Sequence, residues 1–233
     1  MRISVQHLLT ALVDVLAPRR CMACEALDPG PSAYCDACGE PDALLDVERH
    51  VLNVPVFAGS RYSEPLVSAI HRFKYGGAPE LCCALAASSA RGIELLGVEP
   101  SDVWVPVPLH PLRLAERGYN QSALLARELS RIARGRVDPR YLVRLRHTEQ
   151  QAKHARRARG QNVSAAFCVR NSAVEPRRVV LVDDVVTTGA TLAACIRALR
   201  AAGNQVVGCL AVAHSATAER GIARGGGARD RQP

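Results

Sequence analysis

The chain has 233 residues, 48% apolar but only 4% aromatic, and a formal net charge of +8. That length suits one ordinary domain with room for a small satellite module, and no apolar run approaches the roughly 18 residues that span a bilayer, so a soluble protein without membrane insertion is expected. The excess charge is local: between residues 131 and 159 ten Lys/Arg stand against Asp138 and Glu149, while the rest of the chain is balanced. Such a strip fits an anionic partner or a solvated face.

In chain order, Ile3 to Ala17 resembles a signal peptide, but it carries Gln6, His7 and Asp14 and lacks a small-residue cleavage site before Arg19 and Arg20. It reads as a short amphipathic helix, which places the protein in the reducing cytoplasm, where thiols bind metal or pack in cores more often than they pair. Cys21-x-x-Cys24 and Cys35-x-x-Cys38 follow, separated by the turn-rich stretch EALDPGPSAY. Two such pairs present four thiolates to one tetrahedral ion, so residues 1–48 are expected to form a helix and a zinc-ribbon module, with free thiols or two disulfides as the alternative. A closed four-ligand zinc is structural and leaves no position for chemistry. Cys82, Cys83, Cys168, Cys195 and Cys209 lie in apolar runs and read as core.

Strands are predicted at 51–59, 102–108, 141–145, 178–184 and 205–212. Between the later ones, Leu124, Leu125, Leu129 and Ile132 share one helix face, and Leu192, Cys195, Ile196 and Leu199 another, ended by Gly203. This alternation predicts an α/β fold over residues 49–218, a mainly parallel sheet flanked by helices, with ligands at the carboxyl ends of the strands. Residues 219–233 are Arg/Gly-rich with little to bury and read as a disordered tail.

The densest chemistry lies in VVLVDDVVTTGAT, Val179 to Thr191. Four apolar residues describe a buried strand, which delivers Asp183 and Asp184 at its exit. A tight loop of small residues, Thr187, Thr188, Gly189, Ala190 and Thr191, then opens a helix. Its amides can point into one cavity at a helix N-terminus whose dipole favours an anion. The carboxylates, acceptors only, suit the vicinal hydroxyls of a ribose. A sugar with a 5-phosphate satisfies both halves, whereas a nucleoside triphosphate site would want the lysine of a P-loop, absent here.

Upstream, Val105-Pro106-Val107-Pro108 ends a predicted strand, with Arg113 and Arg117 within reach of a polyanion. An ordinary turn with solvated arginines is the alternative. Asn120 is an N-cap or a substrate contact, the residue type favouring the cap. Lys74, in Phe73 to Gly77 (FKYGG), sits where a helix C-terminal charge is common.

The run at 179–191 resembles the phosphoribosyl-diphosphate motif of type I phosphoribosyltransferases. FKYGG, VPVPLHPLRLAERGYNQSALLA (Val105 to Ala126), the cysteine pairs, and Thr148, Gln151, Arg159, Asn162 and Phe167 narrow the resemblance to the ComF family of competence-associated phosphoribosyltransferase-like proteins, over about residues 12–213. His154 departs from that pattern, which usually has an apolar residue there. The resemblance implies that Asp183, Asp184 and Thr187 to Thr191 bind phosphoribosyl diphosphate with Mg²⁺. It further implies that Pro106, Val107 and Pro108 hold the diphosphate, and that Lys74 and Arg117 act beside it.

Two functions compete. An enzyme would move ribose 5-phosphate between diphosphate and a nitrogen base, stabilising the departing diphosphate with Mg²⁺ and basic groups. A basic arm including Arg144, Arg146, Arg156, Arg157 and Arg159 would then close as a hood against water. A competence factor would instead use the fold as a nucleotide sensor or scaffold in uptake of single-stranded DNA, beside a helicase partner. Tyr141 is the arm's one aromatic, so any DNA binding would be mainly electrostatic. A transcriptional regulator on the same fold ranks last, because no helix-turn-helix pattern is evident.

Overall fold

The computed structural model describes residues 18–27, 33–47, 49–144, 166–170 and 175–215. The expected N-terminal helix, the basic-arm residues 146, 156, 157 and 159, the family positions 148, 151, 154 and 162, and the tail lie outside the described residues.

Strands β1 (Arg49–Val51) and β2 (Val54–Arg61) form a hairpin. Helices α1 (Leu66–Tyr75), α2 (Cys82–Ser88) and α3 (Arg91–Leu95) lead to β3 (Val103–Pro106). Next come α4 (Pro111–Arg117), α5 (Gln121–Ala133) and the short strand β4 (Arg136–Val137). Strands β5 (Leu142–Arg144) and β6 (Phe167–Val169) pair antiparallel in a small separate sheet. The chain then runs through β7 (Arg178–Val186), α6 (Ala190–Ala201) and β8 (Gln205–His214).

The main sheet has the order β1-β2-β8-β7-β3-β4, parallel throughout except for the β1–β2 hairpin at its edge. Successive strand residues face opposite sides, and β7 follows that rule through its core. Val179 and Leu181 pack with Leu192, Cys195, Ile196 and Leu199 of α6. Val180 and Val182 pack on the other side with Ile70 and Phe73 of α1, Leu85 of α2 and Leu125 and Leu129 of α5. A strand covered on both faces has no use for polar residues, which is why β7 reads as a continuous apolar run. The expected α/β sheet with helices on both sides is therefore the fold.

Three local readings need correction. The run at 51–59 is not one strand. Leu52 and Asn53 both take positive φ (51° and 61°) and turn the chain between β1 and β2, as two-residue hairpins require. Ile132 is exposed, because α5 buries the stripe through Leu125, Ala126 and Leu129 and ends one residue later. Cys195 and Cys209 are core, but Cys82 and Cys168 are half-buried and Cys83 is exposed. Helix α2 buries only Leu85 and Ala86, so its first turn faces outward.

Connectivity places the site. The chain leaving β3 goes by way of α4 to α5 on one face, whereas the chain leaving the adjacent β7 goes to α6 on the other. Two neighbouring strands whose exits diverge open a crevice at their carboxyl ends, where ligands of α/β sheets bind.

Candidate functional site

At that crevice β7 continues to Val186, two residues past the aspartates, so Asp183 and Asp184 sit inside the strand's end rather than at its exit. The loop proper is Thr187 to Gly189, and α6 already includes Ala190 and Thr191. Gly189 is the N-cap residue of α6 with φ +77°, a left-handed conformation natural for glycine. A Cβ there would meet Val51 Cγ2 at 2.9 Å, so position 189 backs onto β1 rather than onto an open cavity.

Asp183 accepts hydrogen bonds from Ser122 Oγ (3.1 Å) and from the Asp184 amide (2.9 Å). Burial, then the negative charge of Asp184, push its carboxyl up to about 7, against the pull of those hydrogen bonds and of Lys74. Asp184 accepts from the Val185 amide through Oδ1 (2.7 Å). Its Oδ2 is buried and takes no well-directed hydrogen bond, but Lys74 Nζ lies 2.9 Å away and balances the charge. An acceptor oxygen left without a directed donor can take a ligand hydroxyl.

The loop after β3 lies alongside. The Val107 amide donates to the Val182 carbonyl (2.8 Å), which fixes Pro106, Val107 and Pro108 next to the aspartates. Asn120 Nδ2 donates to the Val107 carbonyl (3.1 Å), and Asn120 Oδ1 accepts from the Ser122 amide (3.1 Å). Asn120 is thus the N-cap of α5 and a strut for the loop, as its residue type suggests. Arg117 donates to Gln121 and stacks over the Tyr75 ring at 4.7 Å, and the Tyr119 hydroxyl donates to the Phe73 carbonyl. Lys74, Tyr75, Arg113, Arg117 and Tyr119 line a cleft of about 640 Å³, large enough for a small ligand.

The structure brings together Lys74, Asp183, Asp184, the Pro106–Pro108 loop and the 187–191 segment, with Arg117 in the adjoining cleft. Arg144 is separate: it lies on β5 with its guanidinium 5.5 Å from the Phe167 ring centroid. Two residues escaped the sequence reading. Ser122 carries a signal in its position, two residues after Asn120 in GYNQS. Arg49, which donates to the carbonyls of Thr187 and Thr188, has no motif around it.

The second cluster is at the N-terminal module. The sulfurs of Cys21, Cys24, Cys35 and Cys38 all lie within 4.8 Å of one another, with Cys24 and Cys35 at 3.6 Å. A tetrahedral zinc with Zn–S near 2.3 Å needs sulfurs about 3.8 Å apart, so four thiols on this spacing could hold one. Burial raises the Cys21 thiol, but hydrogen bonds from the Cys24, Cys35 and Ala23 backbone outweigh it and bring it down to about 6. Arg72 of α1 ties the module to the domain by donating to the carbonyls of Cys21 (3.1 Å) and Met22 (2.7 Å). Cys21, Met22 and Tyr34 are buried in the same apolar cluster as α1.

The parallel sheet, its switch-point crevice and the aspartate pair ahead of a glycine loop define a phosphoribosyltransferase-like protein, and residues 120–224 match the phosphoribosyl transferase domain family. Relatives extend the match beyond that domain. The DNA utilization protein YhgH of Escherichia coli K12 is 33% identical over 185 residues, covering 74% of this chain and 80% of that protein. Competence protein F of Haemophilus influenzae is 36% identical over 150 residues (61% and 65% covered). Competence protein ComFC of Bacillus subtilis is 32% identical over 138 residues (59% and 55%). The chain belongs to the ComF family of competence-associated phosphoribosyltransferase-like proteins. Among the described residues no helix is long and apolar enough to cross a membrane.

Proposed function

We propose that this protein binds phosphoribosyl diphosphate with Mg²⁺ at the carboxyl end of β7 and serves DNA utilization in the cytoplasm. The observation that carries the reading is Asp184 Oδ2, buried and without a directed donor beside Lys74, on the strand that leads into the Gly189 loop. Asp183 and Asp184 accept the ribose 2- and 3-hydroxyls, and residues 187–191 receive the 5-phosphate. Lys74, Arg117 and the Pro106–Pro108 loop attend the diphosphate. Zinc held by Cys21, Cys24, Cys35 and Cys38 orders the N-terminal module.

Transfer to a nitrogen base extends the same reading. The C1–O bond to diphosphate breaks with its electron pair, the C1–N bond forms, and the acceptor's N–H proton passes to solvent. Incubating the protein with phosphoribosyl diphosphate, Mg²⁺ and a panel of bases tests it: base-dependent diphosphate release supports transfer, and binding without release leaves the protein a sensor.

Single-stranded DNA is a second reading, supported by the similarity to a DNA utilization protein and a competence protein and by the basic strip at 131–159. Anisotropy of a labelled oligonucleotide should fall steeply with salt, with a slope near −0.7 per phosphate contacted. Replacing Arg156, Arg157 and Arg159 by alanine should flatten that slope. Binding indifferent to both removes the strip from the DNA reading.

A further inference from the structure

We propose that Arg49, on the edge strand β1, is a positioning residue for the phosphate loop: it holds the peptide planes of that loop so that their amides face the ligand. The inference rests on the phosphoribosyl reading of that loop and assigns a part of the site lying outside its motif.

The guanidinium makes two short hydrogen bonds to successive carbonyls, Nη1 to Thr187 O and Nη2 to Thr188 O, each 2.6 Å. Both peptide bonds are trans. In a planar trans peptide the C=O and the following N–H point in opposite directions. With the Thr187 and Thr188 carbonyls turned to Arg49, the amides of Thr188 and Gly189 are turned away from β1. Neither amide has an acceptor among the described residues. Gly189 is buried and Thr188 exposed; a buried amide normally finds an acceptor, and two adjacent donors on one side of a loop form a concave anion receptor.

The chain around Arg49 keeps it in place. Its Nη1 also lies 3.1 Å from His214 Nε2, at the end of β8. Val51, two residues on and buried, sits against Gly189, where a Cβ would come within 2.9 Å of it. The tight turn at Leu52 and Asn53 sets the register of β1 on β2 and so the position of both residues. A forked guanidinium can span two carbonyls that a lysine ammonium cannot grip in the same fixed geometry. The cation behind the loop also adds to the attraction for a phosphate, and that second effect survives replacement by lysine.

The test separates geometry from charge with Arg49→Lys in the full chain. Isothermal titration with phosphoribosyl diphosphate and Mg²⁺ should show affinity weakened about tenfold or more. Backbone ¹⁵N relaxation without ligand should show order parameters at Thr188 and Gly189 falling from about 0.85 toward 0.6, with α6 unchanged. Arg49→Gln, which also loses the charge, should bind more weakly still. Equal affinity in wild type and Arg49→Lys, or loop order parameters that do not change, overturns the assignment. No binding by wild type overturns the phosphoribosyl reading itself, and with it the role of Arg49 toward a ligand. Order parameters that fall along all of α6 would make Arg49 a structural residue and also overturn the proposal.

Discussion

Lys74 reaches from the last turn of α1 to place its ammonium 2.9 Å from Oδ2 of Asp184, whose side chain is only 7% exposed. The pair joins a helix on one face of the sheet to the carboxylate on an inner strand, and so braces the crevice. Breaking one partner of a buried pair leaves the other charge uncompensated, at a cost of about 3 kcal/mol. Lys74→Met should therefore lower stability by that order, and adding Asp184→Asn should restore part of it. Denaturant melts of the two single variants and the double variant give the coupling; additive effects would mean the ion pair contributes nothing.

Asp183 makes stability depend on pH with an unusual sign. Its carboxyl is pushed up to about 7 by burial and by Asp184, against about 3.9 in an unfolded chain. The folded state holds the proton more tightly, so the contribution is fully present below about pH 4 and is lost as pH rises through about 7. Asp183→Asn keeps the shape and the acceptor but removes the charge. Its melting temperature should exceed that of wild type at pH 8 by several °C, since about 1 kcal/mol already shifts a chain of this size by roughly 2–4 °C. The gap should close toward pH 4. A gap that grows on acidification contradicts the assignment.

Metal analysis of protein prepared without chelator should find one zinc per chain, and Cys35→Ser should abolish it. Arg72 and the buried Cys21, Met22 and Tyr34 bind the module to α1, so loss of metal should also lower the melting temperature of the whole domain. Unchanged metal content in Cys35→Ser sinks the zinc reading.

Gly189→Val should weaken phosphoribosyl diphosphate binding through the loop rather than by filling the phosphate cavity. The new side chain would collide with Val51, and φ of +77° disfavours any Cβ by about 1–2 kcal/mol. Gly189→Ala should lose affinity in the same direction but less. Equal affinity in both variants and wild type would mean the loop does not need its left-handed glycine.

The strand, loop and helix start at 179–191 and the clustering of the four cysteines were legible because they are written in consecutive or regularly spaced residues. So was the stripe Leu192, Cys195, Ile196 and Leu199, since an amphipathic helix repeats its apolar face. Arg49 was not, because its two partners lie 138 and 139 residues away and depend on how β1 folds over the loop. The β1–β2 turn was hidden for a related reason: Leu52-Asn53 lacks the glycine that usually marks a two-residue hairpin, and only the pairing on either side forces positive φ there. Cys82 and Cys83 misled because an apolar run shows composition, while burial depends on which helix face meets the sheet.

The most direct test of the account is isothermal titration of phosphoribosyl diphosphate with Mg²⁺ into wild type and into Asp183→Asn/Asp184→Asn. Charge-assisted hydrogen bonds are worth about 1.5–3 kcal/mol each, so at pH 8, above the value of about 7 to which the Asp183 carboxyl is pushed, losing two should weaken binding by at least about a hundredfold. Measurable binding by wild type with that loss in the double variant is the predicted result. No binding by wild type at millimolar ligand, or equal binding by the two proteins, would show that the aspartate pair and its loop serve only the fold.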